Sequence, residues 1–171
     1  EKSLRISKAL NDERVMAISY DNIAGIYYNE GYPTKAIEYY NKALQIREIN
    51  GEFSGAAFSL NNIASVYLSM KEIDKAQAFA ERSLNIAEEI AYPMDIQNAA
   101  ETLYDIYKLR KNPEKALYYH ELYIAMRDSI HNIINERATL AQSLKYQYEK
   151  ESLKDSLQNQ KIQEIKDSRI S

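Results

Sequence analysis

The chain repeats itself every forty residues, and that period narrows the folds open to it more than any other feature. Ala36, Ala76 and Ala116 stand one period apart, each preceded by a lysine (Lys35, Lys75, Lys115). Tyr27, Tyr67 and Tyr107 keep the same interval, as do Ile23, Ile63 and Leu103. A period of this size marks a stack of helical hairpins, each burying its apolar face only against its neighbours. Breaker segments recur where a hairpin must turn. Gly31-Tyr32-Pro33 is matched one period on by Lys71-Glu72-Ile73 and then by Lys111-Asn112-Pro113. Asn50-Gly51 and Tyr92-Pro93 mark the links between units. No glycine or proline follows Pro113, which permits long helices there.

The pattern predicts an all-α array. A helix over 1–10 is followed by the pairs 13–30 with 33–50, 53–70 with 73–90, and 94–110 with 113–128. Residues 1–128 thus form the repeat region, with full repeats at 13–50, 53–90 and 94–128. Residues 129–171 form a C-terminal capping or connecting helix. Asp128-Ser129 can cap that helix, so a bend or break is expected there. Glu1-Lys2-Ser3-Leu4-Arg5-Ile6 overlays Asn41–Ile46 and Glu81–Ile86, so 1–10 reads as the second helix of a unit whose first helix lies upstream. Two helices approach closely only where small side chains meet. Ala24 and Ala64 supply that on first helices, Ala36, Ala76 and Ala116 on second helices, and Ser3, Ala43 and Ser83 at the junctions between units.

Composition excludes several function classes. The net charge of −3 gives no basic footprint, so no direct contact with nucleic acid is expected. With no cysteine there is no disulfide or thiolate metal site. A hydrophobic share of 45% supports a core, and a mean hydropathy of −0.56 suits a solvated surface. No apolar run can span a bilayer, so a membrane is reached only through segments outside this chain. There is no phosphate loop, nucleophile signature or paired metal motif, and no cofactor is expected. His120 and His131, the two histidines, find no carboxylate spacing that completes a site. The fifteen tyrosines fall mostly at repeat-equivalent positions and read as large core residues.

These residues resemble the tetratricopeptide repeat, whose motif is an apolar residue, a small residue and a tyrosine, followed on the second helix by alanine, an aromatic and a small residue. The first unit reads Tyr20, Ile23, Ala24, Tyr27, Ala36, Tyr40, Ala43. The second reads Leu60, Ile63, Ala64, Tyr67, Ala76, Ala80, Ser83, with Ala80 where an aromatic is usual and Phe79 placed to compensate. The third reads Ala100, Leu103, Tyr104, Tyr107, Ala116, His120, Tyr123. There Tyr104 and Tyr123 replace small residues, as suits a unit whose neighbour is not another repeat. The forty-residue length is similar to the long-helix variant of kinesin light chains and bacterial signalling proteins. The resemblance implies a right-handed superhelix of antiparallel hairpins whose first helices form a concave groove for a protein or peptide, and no catalysis.

Groove-lining positions follow from the same register. They are Asn22, Gly25 and Asn29 in the first unit, and Asn62, Ser65 and Ser69 in the second. In the third they are Asn98, Thr102, Asp105 and Lys108. Asparagine amides both donate to and accept from an extended backbone, so such a ladder suits peptide capture. Gly25, Ser65 and Asp105 stand where relatives that hold acidic C-termini carry cations, which disfavours a carboxylate-terminal ligand. Beyond the repeats, Ile130, Ile133, Ile134, Ala138, Ala141 and Leu144 recur at helical spacing, then the pattern thins. Either a coiled coil, hence a homodimer, or an exposed helix fits it. The run from Tyr123 to Ile130, followed by a charged helix, resembles the input region of bacterial sensor histidine kinases and related regulators. That resemblance implies a place on the periplasmic side of an inner membrane. A cytoplasmic scaffold, or the repeat region of a transcriptional regulator, is the alternative.

Overall fold

The computed structural model describes residues 13–168, apart from the side chains at 164 and 166–168. The expected helix at 1–10 lies outside the described residues. Six helices and no strand are present among the described residues: α1 (Glu13–Asn29), α2 (Pro33–Ile49), α3 (Phe53–Ser69), α4 (Ile73–Glu89), α5 (Pro93–Leu109) and α6 (Pro113–Ser168). The described residues up to Ser129 form one compact unit, and those from Ile130 form a second.

The first five helices each have 17 residues and begin twenty apart. A single device produces that spacing. Gly31, Gly51, Lys71, Ala91 and Lys111 all have positive φ, between 50° and 82°. Each follows the end of a helix, and the residue after it donates its N–H to a carbonyl five positions back, as in Tyr32 to Tyr27 and Tyr92 to Ala87. This is a Schellman closure, which satisfies carbonyls that a helix end leaves open. The turns therefore repeat at half the sequence period. Only two of the five carry the glycine that would reveal them in the sequence.

Between the turns, each of the first four helices packs on the next, and α3 also meets α5. The expected alanines close the hairpins: Ala24, Ala36, Ala64 and Ala76 are fully buried and Ala116 nearly so. One apolar cluster joins Ala24, Ala36 and Tyr40 to Leu60, Ile63 and Val66 of the following hairpin. A second joins Ala64, Ala76 and Ala80 to Leu103, Ile106 and Tyr107. Ser83, expected at a junction, donates to the Ala57 carbonyl within its own hairpin at 2.7 Å. This part of the chain is the all-α solenoid of antiparallel hairpins that the repeat implied.

Each hairpin also carries a three-layer stack. Tyr27, Tyr67 and Tyr107 lie against Tyr39, Phe79 and Tyr119, with ring centres 5.4, 5.5 and 5.4 Å apart. Lys35, Lys75 and Lys115 place an ammonium 5.1, 5.2 and 4.9 Å from the same tyrosine rings. The ring face attracts the cation, and the rings shed water against each other. Phe79 is therefore the regular member of this row and compensates for nothing. Ala80 sits beside it in the core, fully buried.

The break expected at Asp128-Ser129 is absent: α6 runs as one helix from Pro113 to Ser168. Neither residue disrupts helical geometry, and Asp128 pairs instead with Arg127 at 2.9 Å. In the second unit Ile133, Ile134, Leu140, Leu144, Tyr146 and Tyr148 are all exposed. No helix among the described residues is long and apolar enough to cross a membrane.

Candidate functional site

The first helices of the three hairpins converge on a depression of about 350 Å³. It is lined by Tyr28 of α1, Ser65, Leu68 and Ser69 of α3, and Glu101, Thr102 and Asp105 of α5. Four of the positions read from the sequence come together here: Ser65, Ser69, Thr102 and Asp105. The rest lie elsewhere. Asn22 and Asn29 are exposed on α1, and Asn62 is half-buried on α3. Gly25 is half-buried, with the Tyr40 hydroxyl 3.7 Å from the point a Cβ would occupy. Asn98 is half-buried and its backbone carbonyl accepts a bond from Thr102. Lys108 places its ammonium 4.8 Å from the Tyr104 ring, in a different cavity.

The chemistry of the depression follows from where its hydroxyl protons go. Ser65 Oγ donates to the Asn61 carbonyl at 3.0 Å, Ser69 Oγ to Val66 at 2.7 Å, and Thr102 Oγ1 to Asn98 at 3.2 Å. Such back-bonding to the preceding turn is common for hydroxyls within helices. With the protons held inside the helix, the outward lone pairs can only accept. Glu101 and Asp105 add carboxylates, and neither forms an ion pair among the described residues. The floor therefore presents mostly acceptors, beside Leu68 and Tyr28, whose phenol can also donate.

Sequence reading missed Tyr28, Leu68 and Glu101. Leu68 lies one period and Tyr28 two periods before Lys108, so the register contained them. Their apolar character hid them from a search for polar groove residues.

Glu101 has an informative lineage, since Asp21 and Asn61 hold its position in the earlier units. Asp21 is closed to solvent and pairs with Arg47, whose Nη2 lies 2.5 Å away. Arg47 Nη1 also donates to Ser59 Oγ at 2.5 Å and to the Gly55 carbonyl at 3.0 Å. Burial pushes the Asp21 carboxyl above its ordinary range, and the arginine pulls against that shift. One period on, Ala87 replaces the arginine, and the buried Asn61 Oδ1 has no partner among the described residues. At the third position Glu101 is exposed and faces the depression. One register position thus holds a buried structural charge, then a neutral amide, then an exposed carboxylate at the depression.

Comparison with known proteins agrees with the repeat fold. Residues 15–89 match a family model described as tetratricopeptide repeat. No curated protein matches the chain in sequence. Among solved structures, the chain is similar to BtubC (BKLC) from P. vanneervenii, with 26% identity and a TM-score of 0.65. That match covers 75% of this chain and 54% of the other, so the chain spans about half the length of BtubC. It is also similar to the TPR domain of Arabidopsis FLU, with 18% identity and a TM-score of 0.61, covering 66% of this chain and 95% of that one. The apo form of RapI aligns at 21% identity and a TM-score of 0.50 over 77% of this chain and 60% of that one. The last two likenesses concern the fold alone.

Proposed function

We propose that this tetratricopeptide-repeat region, a protein-interaction scaffold with no catalytic role, holds an extended, donor-rich peptide in the depression between its first helices. The observation that carries the reading is the one-sidedness of the floor. Three hydroxyl oxygens and two carboxylates accept, so backbone N–H groups and lysine or arginine side chains are favoured, and a terminal carboxylate is repelled. Leu68 and Tyr28 give an apolar side chain of the same peptide a surface to cover. The asparagines at 22 and 62 lie outside the depression and would meet the peptide only if it ran further along α1 and α3.

We further read the region as the input segment of a bacterial membrane-bound sensor kinase or related signalling protein, on the periplasmic side. The support is the charged helix that follows the repeats and the resemblance of residues 123–150 to such proteins. A ligand that favoured one spacing of the first helices over another would shift the populations of the two arrangements. A cytoplasmic scaffold would use the same groove without that coupling.

The test is peptide display against the full chain and against a Glu101→Lys/Asp105→Lys variant. Peptides rich in lysine or arginine should be enriched on the native protein and lost on the variant. The same peptides enriched on both proteins would remove the depression from the function.

A further inference from the structure

We infer that the last hairpin of the repeat region carries a second docking surface, a socket for an acidic amphipathic helix of a partner protein. The inference does not depend on peptide capture in the groove and rests on the last hairpin. Each of the first two hairpins presents such a socket, and each is filled by the helix that follows. Ile63 and Val66 of α3 join the cluster of Ala24, Ala36 and Tyr40. Leu103 and Ile106 of α5 join that of Ala64, Ala76 and Ala80. In both cases an apolar pair three residues apart enters, and all four of these side chains are at most 1% exposed.

The third socket is a cavity of about 530 Å³, lined by Tyr104, Tyr107, Lys108, Ala116, Leu117 and His120 together with the turn residues. Tyr104, Ala116 and His120 are the period equivalents of Ala64, Ala76 and Ala80. Leu117 is 57% exposed, although its equivalents Ile37 and Gln77 are partly covered. The walls are aromatic: the His120 ring lies 4.9 Å from Tyr104. Exposed apolar surface bounded by rings is suited to take an inserted aliphatic side chain.

Charge names the occupant. In the second hairpin, Leu68 lies beside Glu101 and Asp105 of the incoming α5. In the third hairpin that position is Lys108, and Lys111 stands at the adjacent turn. A helix seated as α5 is seated, bearing carboxylates where α5 bears Glu101 and Asp105, would bring them to Lys108. The occupant is thus a helix with an apolar pair at i and i+3 and acidic residues at i−2 and i+2.

The experiment uses the full chain, isotope-labelled, and a helix-stapled peptide of residues 92–110 as the probe, since a short helix is marginal in water. The expected result is amide shifts clustered at Tyr104, Leu117 and His120. Affinity should fall at least tenfold for Lys108→Glu/Lys111→Glu, whose exposed sites leave the fold intact. A Leu103→Asp/Ile106→Asp peptide should not bind. Absent binding, or binding indifferent to the lysine changes, would overturn the proposal. Self-association that Leu117→Glu abolishes would identify a second copy of the chain as the occupant, and would overturn it as well.

Discussion

Arg47 and Asp21 form an ion pair of 2.5 Å across the first hairpin, with side chains only 7% and 8% exposed. A buried pair adds little net stability over an apolar pair of the same shape, yet breaking one side strands an uncompensated charge. Arg47→Ala or Asp21→Ala should therefore lower the free energy of unfolding by about 3–5 kcal/mol. The joint change Arg47→Met/Asp21→Leu should recover most of that loss. Urea denaturation measures both. Single variants within 0.5 kcal/mol of the native protein would mean that the pair is not buried in solution.

Gly55 tests the same arginine from its other side. Glycine inside a helix is usually destabilising by roughly 0.5–1 kcal/mol relative to alanine. At Gly55, however, a Cβ would fall 2.6 Å from Arg47 Nε and 2.7 Å from its Cδ. Gly55→Ala should thus destabilise the native protein, against the helix-propensity expectation. In an Arg47→Ala background it should become stabilising. A gain in both backgrounds would show that the guanidinium does not cross that point.

The turn at Ala91 offers a stabilising change. Its φ of 50° is unfavourable for a residue with a Cβ, by about 1–2 kcal/mol. Ala91→Gly keeps the Schellman bonds and removes that penalty. The gain should be about 0.5–1 kcal/mol after glycine's greater loss of chain entropy. A melting midpoint that fell would place the turn in another conformation.

These positions show how far the sequence could be read. The alanines at 36, 76 and 116 appear in it because close helix approach admits only small side chains, and they repeat in phase. The five helices between Glu13 and Leu109 followed to within about one residue, whereas the end expected near Asp128 did not, because neither Asp128 nor Ser129 breaks a helix. The period placed the turns near Lys71, Ala91 and Lys111, but their left-handed closure was hidden, because the backbone there adopts a glycine-like conformation without glycine. The Arg47–Asp21 pair was hidden too. It occurs in one hairpin only, and a period search favours what recurs. In the groove, Ser65 and Asp105 were legible as exposed polar positions. The direction of their hydrogen bonds, which decides what the groove accepts, depends on coordinates.

Asp95 gives a pH dependence. It is 6% exposed, and the Ser54 hydroxyl donates to it at 2.7 Å. Burial raises its pKa from the ordinary 3.8, and the Ser54 bond lowers it by less. Between 3.8 and the raised value the folded state holds more proton than the unfolded chain, so this group's contribution to stability falls as pH rises through that window. Asp95→Asn removes the titration. Its stability relative to the native protein should therefore improve as pH rises from about 4 towards neutrality, then level off. A difference that moved the other way would mean that the carboxylate gains a charge partner in solution.

The most direct test of peptide capture between the first helices is an NMR titration. The labelled full chain would be mixed with a lysine-rich peptide selected by display. Amide shifts should concentrate at Ser65, Leu68, Ser69, Glu101, Thr102 and Asp105, and they should vanish in Glu101→Lys/Asp105→Lys. Shifts confined to α2 and α4, or to α6 beyond Ser129, would contradict the account.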